Sequence, residues 1–319
     1  MDTTRPLPGH TTRRPVAGDA EAIHELVAQY DTQVIGAADC TLADIADELA
    51  EPGFDPGRDG WLVHDAAGAL AGWGRAVCRG GGDIVDVEVV ARPGTSKVAE
   101  WLWEAVLGRA AGLGAEAGHP RVRVDAGIYR QDSAKAGLAA AYGLAPATSF
   151  HRMRIDHSGP PPRPAYLPGV TVHQGHTEEV REQAHRVHQE AFAGHFGFVP
   201  TAYDAWREEL VSSSAHDWDQ LLLARVHGEP AAMLLGTDHF VPDGNCGYVR
   251  ILAVRPRFRS RGLGRLLLGR AFAADAGRGR AGTYLHVDAG NTTPALDLYL
   301  SAGMRPVLVI DVWRKTVTV

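Results

Sequence analysis

The sequence from residue 252 to residue 268 reads Leu252-Ala253-Val254-Arg255-Pro256-Arg257-Phe258-Arg259-Ser260-Arg261-Gly262-Leu263-Gly264-Arg265-Leu266-Leu267-Leu268. It begins as an apolar strand, passes through a basic loop and continues as a helix. A helix N-terminus carries unpaired N–H groups and about half a positive charge, so it favours a phosphate. Gly262 and Gly264 have no Cβ, so the backbone there can approach a bulky anion. We predict a diphosphate-binding loop.

Positive charge is concentrated around this loop although the chain carries a net charge of −6. Eight arginines and a single acidic residue lie between Arg255 and Arg280. The overall acidity and the few aromatic residues among these arginines argue against nucleic-acid binding. No Gly-Lys-Ser/Thr follows, and Leu267 stands where a dinucleotide fingerprint needs its last glycine. The loop therefore predicts neither a P-loop nor a dinucleotide site.

The composition is that of a folded protein with room for two domains: 319 residues, 45% apolar and 22% charged. No stretch approaches the ~20 apolar residues of a membrane span, and no signal-peptide core is visible. Three scattered cysteines argue against a disulfide framework and a zinc site. We expect a cytoplasmic protein without a metal or a membrane partner.

The two halves of the chain repeat each other. Ala91-Arg92-Pro93 corresponds to Val254-Arg255-Pro256, and the four letters Val-Asp-Ala-Gly occur at 124–127 and at 287–290, with the same spacing of 163 residues. A Pro-rich stretch, SGPPPRPAYLPG, lies between the halves and cannot continue a helix. We predict a first module at 1–157, a linker at 158–169 and a second module at 170–319.

Local patterns predict an α/β (α+β) module with a mixed sheet in the second half. The predicted strands cover 170–173, 220–226, 230–237, 248–254, 284–287 and 307–312. The predicted helices cover 178–192, 203–210, 262–276 and 294–303, the last beginning with a Thr-Pro start signal and ending at a glycine.

The second half resembles the GNAT superfamily of acyl-CoA-dependent N-acyltransferases. The family's diphosphate signature, Gln/Arg-x-x-Gly-x-Gly/Ala, appears at 259–264, and its downstream Asn, Leu-Tyr and Gly-Phe pattern appears as Asn291, Leu298-Tyr299 and Gly303-Met304. The resemblance implies two tandem GNAT modules, each a splayed mixed sheet flanked by helices, with acetyl-CoA as cosubstrate. It also implies cofactor contacts from Leu252, Ala253, Val254, Arg259, Ser260, Arg261, Gly262, Leu263, Gly264, Arg265 and Asn291.

Tyr299 is the predicted catalytic residue. Acyl transfer from a thioester expels a thiolate, and a nearby phenol can donate a proton to the sulfur. The resemblance gives Tyr299 this general-acid role. Leu296 and Leu300 flank it on a helix, so an ordinary core aromatic is the alternative.

The first half is predicted to be a degenerate module that serves as a scaffold. At the 163-residue spacing, Ser96, Ala99 and Trp101 replace Arg259, Gly262 and Gly264. A tryptophan cannot occupy a position that needs a bare backbone.

The acceptor side is predicted from Glu190, His195, Phe198, Tyr248 and Arg250. Attack requires a neutral amine and therefore a base, for which Glu190 and His195 are the candidates. The central strand reads Tyr248-Val249-Arg250 and lacks the acid found in many relatives, so the base stays unassigned. Arg250 suggests an acceptor with an anionic group.

We predict an N-acetyltransferase that moves an acetyl group from acetyl-CoA to a primary amine of a small molecule by direct attack in a ternary complex. Two alternatives remain open: acetylation of a desacetyl thiol precursor, as by mycothiol synthase, whose tandem architecture is similar, and a non-catalytic CoA-binding sensor. The acceptor, the acyl preference and the choice between monomer and homodimer are not determined by the sequence.

Overall fold

The computed structural model describes residues 7–78, 81–159, 166–195, 198–290 and 295–319. The chain divides into two compact units, unit 1 with Met1–Ser149 and Ile310–Val319, and unit 2 with Phe150–Val309. Within the described ranges, no helix combines the length and the apolar character that crossing a bilayer requires.

Twelve strands and ten helices are described. The strands are β1 (Thr11–Arg13), β2 (Gly60–His64), β3 (Leu70–Cys78), β4 (Ile84–Ala91), β5 (Arg121–Tyr129), β6 (Ala145–Asp156), β7 (Val170–Gln174), β8 (Leu221–Val226), β9 (Glu229–Thr237), β10 (Cys246–Val254), β11 (Gly282–Asp288) and β12 (Arg305–Thr318). The helices are α1 (Ala20–Ile35), α2 (Leu42–Leu49), α3 (Pro56–Asp59), α4 (Ser96–Glu116), α5 (Ser133–Ala141), α6 (Glu178–Phe192), α7 (Tyr203–Ser212), α8 (Val241–Gly244), α9 (Leu263–Gly277) and α10 (Ala295–Ser301).

The strands and helices predicted for the second half are all observed, which confirms the mixed α/β class. Helix α6 has the predicted bounds, and β12 extends further in both directions than predicted. Residues 291–294, where the last helix was expected to start, lie outside the described residues.

Each unit contains a mixed sheet with one parallel pair. In unit 1 the order is β1-β2-β3-β4-β5-β12, with β4 and β5 parallel. In unit 2 the order is β7-β8-β9-β10-β11-β6, with β10 and β11 parallel. A long helix, α4 or α9, joins the two parallel strands, as a crossover connection requires.

Helices cover both faces of the unit 2 sheet. Along β9, Met233 and Leu235 pack with α6 and α7, whereas Ala232 and Leu234 pack with α9. Successive side chains of a strand point to opposite faces, so a strand buried on both sides needs a continuous apolar run. This explains why 230–237 has no polar alternation.

Each sheet is completed by a strand from the other half of the sequence. From Phe150 to Asp156, β6 pairs antiparallel with β11, and from Ile310 to Thr318, β12 pairs antiparallel with β5. The boundaries of the two units therefore fall after Ser149 and after Val309, and not at the Pro-rich stretch. The linker at 158–169 stays a prediction, because 160–165 lie outside the described residues.

An ion pair anchors β12 to β5. The Arg314 guanidinium donates from Nε and Nη2 to the two carboxylate oxygens of Asp125, at 2.5 Å each. Asp125 is buried, with 8% of its surface exposed. A second pair, Arg130 with Asp311 at 2.6 Å, joins the same strands nearer the surface.

Replacing Arg314 with methionine should lower the free energy of unfolding of unit 1 by roughly 2–4 kcal/mol, because it leaves a buried carboxylate without its partner. Arg130→Met is the matched control and should cost under about 1 kcal/mol, since its pair is exposed. The loss of unfolding free energy in each variant is measured by urea unfolding, with hydrogen exchange of the β5 amides as the probe for unit 1. Equal losses of unfolding free energy in the two variants would contradict the conclusion that the Arg314–Asp125 pair anchors β12 to β5.

Candidate functional site

Strands β10 and β11 pair over four residues and then separate. Their parallel register runs from Cys246 opposite Gly282 to Val249 opposite Leu285. Beyond it, β10 continues to residue 254 and β11 to residue 288, and β10 carries a bulge between Val249 and Ile251 that increases local twist. We call the gap between 250–254 and 286–288 the fork. It matches the splayed sheet that the resemblance implied.

The backbone of two predicted cofactor contacts faces the fork. The Arg255 N–H donates to the Ala231 carbonyl of the β9 side at 3.0 Å. Backbone groups of an antiparallel strand alternate in direction, so the N–H of Ala253 also points toward β9. The N–H groups of Leu252 and Val254 consequently point into the fork, where they can bind an amide-containing chain.

The predicted diphosphate loop has two residues with left-handed backbone, Ser260 with φ 60° and Gly262 with φ 78°. Gly262 is the N-cap of α9, and its carbonyl accepts the first helical hydrogen bond, from the Leu266 N–H at 2.9 Å. The N–H groups from Gly262 to Arg265 have no partner within the helix. Left-handed backbone is unfavourable for serine, so the loop is held in a strained form, and its residues 259–262 are exposed.

Gly264 lies where α9 packs closely against α10. It is buried, and a Cβ there would lie 2.8 Å from Cδ2 of Leu298 in α10. The missing side chain thus permits close packing of α10 on α9, and the contact of Gly264 with a diphosphate stays a prediction. Arg265 supports the same contact, donating to the Ser301 hydroxyl at 2.6 Å, and Leu263 is buried in the core.

Two arginines of the loop keep their charge uncompensated. Arg259 donates to the carbonyls of Val254 and Ala191 at 3.3 Å, and Arg261 lies over the Phe258 ring. Within the described part of the chain neither has a carboxylate partner. By contrast, Arg255 and Arg257 form ion pairs with glutamates. The loop itself therefore carries positive charge that no described carboxylate balances.

Tyr299 lies on α10 and is 8% exposed. Burial raises the pKa of its phenol to about 12, so the group keeps its proton at neutral pH. Among the residues that the structure describes, none hydrogen-bonds to its hydroxyl. A protonated, unengaged phenol is the form that a general acid needs. Asn291, the other predicted contact of this region, lies outside the described residues.

The two candidate bases, Glu190 and His195, differ in how well they could accept a proton. Glu190 accepts from Arg255 Nε at 2.7 Å, and this hydrogen bond lowers the pKa of the carboxyl. A paired carboxylate of lowered pKa is a poor proton acceptor. The pKa of His195 is lowered by burial and by Arg259, with Asp288 acting in the opposite direction. His195 is therefore neutral. Its pKa responds to charges at two places, Arg259 in the loop and Asp288 at the end of β11.

Aromatic rings form a wall next to His195. Its ring stacks on Phe192 with centroids 4.4 Å apart, and Phe198 lies 6.0 Å from Phe192. His188 contacts both phenylalanines, and burial lowers the pKa of its imidazole to about 4. The sequence analysis placed His195 and Phe198, but not His188, among the acceptor-site candidates.

The other two acceptor candidates lie on β10 and are engaged. Arg250 donates to Glu209 of α7 at 2.6 Å in a partly exposed pair, so its charge is already balanced. The Tyr248 hydroxyl lies 3.0 Å from Nδ1 of His286, and His286 Nε2 lies 3.0 Å from Nε of Arg152. The sequence analysis missed His286 and Arg152. A polar residue between buried Leu285 and Val287 was the available signal for His286 only.

A cavity of about 500 Å³ lies elsewhere, between the sheet and the C-terminal half of α9. Its lining includes Gln174, Gln220, Arg270 and Arg278, and it reaches only the first half of β10. It is separate from the diphosphate loop, which lies at the other end of α9. In the ranges described, no group of three or more His, Cys, Asp or Glu residues could hold a metal ion.

Comparison with known proteins found a family match within the second half of the chain. Residues 181–304 match the model of the acetyltransferase (GNAT) family. No curated protein sequence matches the chain significantly.

Several solved structures share the fold over nearly the whole chain. A GCN5-related N-acetyltransferase from Sphaerobacter thermophilus superposes with a TM-score of 0.80 at 23% identity, covering 99% of this chain and 98% of the other. A tandem GNAT protein from the clavulanic acid biosynthesis pathway gives 0.74 at 17% identity, covering 96% and 98%. The N-myristoyltransferase of Saccharomyces cerevisiae, solved with myristoyl-CoA, gives 0.65 at 11% identity, covering 98% and 80%.

Proposed function

We propose that this chain, an acetyltransferase of the GNAT superfamily with tandem architecture, transfers an acetyl group from acetyl-CoA to the primary amine of a small molecule. The observation that carries the proposal is the fork beside an exposed, left-handed loop with two uncompensated arginines. A fork presents amide-binding groups, and the loop presents anion-binding groups. Acetyl-CoA needs both, because its pantetheine arm carries amides and its nucleotide end carries a diphosphate.

In this proposal each element binds one part of the cosubstrate. The N–H groups of Leu252 and Val254 bind the pantetheine arm and the thioester carbonyl. The N-terminal N–H groups of α9, with Arg259 and Arg261, bind the diphosphate. Asn291 stays a predicted contact.

The reaction then proceeds by direct attack. The amine nitrogen bonds to the thioester carbon, and the charge that develops on the carbonyl oxygen is stabilised by an N–H of the fork. The carbon–sulfur bond breaks, and Tyr299 gives its proton to the departing thiolate. The amine loses a proton through water toward neutral His195. Glu190 is not the base in this scheme, because Arg255 holds it.

A proton donor distinguishes this proposal from a non-catalytic coenzyme sensor. Tyr299 is carried by α10, which packs against α9 through the Gly264–Leu298 contact. A sensor would gain nothing from a protonated phenol next to the coenzyme's helix. The first module is proposed to be a scaffold, with Trp101 buried in its core.

Substituting Gly262 with valine should weaken acetyl-CoA binding at least tenfold, because a β-branched residue opposes left-handed backbone and disturbs the loop. Gly279, at the other end of α9, has φ 73°, and a Cβ added there would meet no neighbour within 4 Å. Gly279→Val is therefore a control with the same backbone strain. Isothermal titration should show that Gly279→Val binds acetyl-CoA with normal affinity. Equal losses of affinity in the two variants would contradict the assignment of the loop as the diphosphate site.

Tyr299→Phe should lower kcat about 100-fold with little change in the KM for acetyl-CoA, since only the leaving thiolate loses its donor. Because the pKa is raised to about 12, the acid form persists from pH 6 to pH 10. The wild-type kcat should show no fall from this group over that range. Tyr142→Phe, in unit 1, is the control and should keep most of the activity. An unchanged kcat in Tyr299→Phe would contradict the general-acid role, and a descending limb below pH 10 that this variant abolishes would contradict the raised pKa.

A further inference from the structure

Three side chains from adjacent strands form a relay across the base of the fork. Nε of Arg152 on β6 lies 3.0 Å from Nε2 of His286 on β11, and Nδ1 of the same ring lies 3.0 Å from the Tyr248 hydroxyl on β10. The pairing of β10 with β11 ends one residue past Tyr248 and one residue before His286. The relay therefore bridges the strands where they begin to separate.

The relay lies on the acceptor side of the sheet. Met153, Val249 and Leu285 belong to the core that α9 covers. Their strand neighbours Arg152, Tyr248 and His286 point to the opposite face, since side chains alternate. That face carries α6 and α7 with the aromatic wall.

Arg152 determines which ring nitrogen of His286 carries the hydrogen. An Arg Nε–H donates and cannot accept, so His286 Nε2 must be the acceptor. The neutral ring then carries its hydrogen on Nδ1 and donates it to the Tyr248 oxygen. The charged ring is disfavoured, because burial first, and then Arg152 and His239, lower the pKa of His286 to about 3. The hydroxyl of Tyr248 is left to donate its own hydrogen to another group.

Packing holds this arrangement in place. Arg152 is 9% exposed, and its guanidinium lies over the Phe240 ring at 4.7 Å. The Tyr248 ring meets the same Phe240 edge-on, with centroids 5.2 Å apart. Over the described residues, the Tyr248 hydroxyl has no hydrogen-bond partner besides His286. A rigid donor without a protein acceptor, on the acceptor side of the fork, has the properties of a substrate contact.

We propose that Tyr248 donates a hydrogen bond to the acceptor substrate, that Arg152 and His286 are positioning residues that hold it as a donor, and that the amine acceptor carries a hydrogen-bond-accepting oxygen. This inference rests on the proposed N-acetyltransferase function. Arg152 lies outside the 181–304 family match, so this feature comes from β6 of the preceding sequence half. A substrate with an N–H at that point would face donor with donor and bind less well.

The first experiment tests the relay without turnover. In protein labelled with nitrogen-15 in histidine, the His286 signals are identified by their loss in His286→Gln. We expect the Nδ1–H tautomer in the wild type, and no titration of His286 between pH 5 and pH 8. The groups that face this ring are Arg152, Tyr248 and His239. Arg152→Met should convert the ring to the Nε2–H tautomer or allow it to titrate, and Arg152→Lys should restore the wild-type tautomer at least in part. An Nε2–H or protonated ring in the wild type overturns the relay.

The second experiment tests the substrate class with matched amines. Ethanolamine is compared with propylamine, and β-alanine with butylamine, so that a hydroxyl and a carboxylate are examined separately with acetyl-CoA. We expect Tyr248→Phe to lower kcat/KM about tenfold for the oxygen-bearing amine that the wild type prefers, as loss of one hydrogen bond implies. The values for the matched hydrocarbon amine should not change. Equal losses for both members, or a wild-type preference for the hydrocarbon amine, overturn the proposal.

Failure of the two proposals can be told apart. A chain that binds acetyl-CoA but acetylates none of these amines, and nothing in a wider amine library, overturns the proposed function and with it the substrate part of the inference. The tautomer of His286 still decides the relay in that case. A wild-type tautomer as expected, together with Tyr248→Phe losses that depend on the substrate's oxygen, supports both.

Discussion

The hydrogen bonds between β10 and β11 stop at Val249 and Leu285, and this early end leaves backbone groups of a central strand facing an opening instead of a partner. A buried N–H without an acceptor costs about 1–3 kcal/mol, so a protein keeps such a gap only where something else fills it. Pairing with β9 continues past the bulge to Val254, so the N–H groups of Leu252 and Val254 are held in place on the fork side of β10. The site is thus built mainly from main chain.

The arginines of the basic segment also differ in whether a partner balances their charge. The arginine-rich segment is not uniformly attractive to anions, because glutamates neutralise its first members at Arg255 and Arg257. Over the residues that the structure describes, Arg259 and Arg261 have no carboxylate partner, and they flank Ser260, whose left-handed backbone starts the turn into α9. The chain combines a net negative charge with a local anion site in this way, and the helix terminus sets the direction of the field.

Local patterns were sufficient to predict the strands and helices of unit 2, because periodicity and end signals act within a few residues. They could not show that Gly264 faces Leu298, since the direction of an absent side chain depends on a helix more than thirty residues later. They also could not place Arg152, which reaches His286 across 134 residues of sequence. The repeated Val-Asp-Ala-Gly letters were a true sign of duplication but not of shared roles: Asp125 binds Arg314, whereas Asp288 caps its own turn at Gly290.

The placement of β12 has a consequence for how the chain is made. When residue 149 leaves the ribosome, β5 still has an open edge, and its partner strand is not synthesised until residues 310–319. Unit 2 can close before unit 1 does, although it is translated later. Until residues 310–319 have been made, the open β5 edge can pair with other nascent chains, so a strand that is made much later protects the first-made half from aggregation.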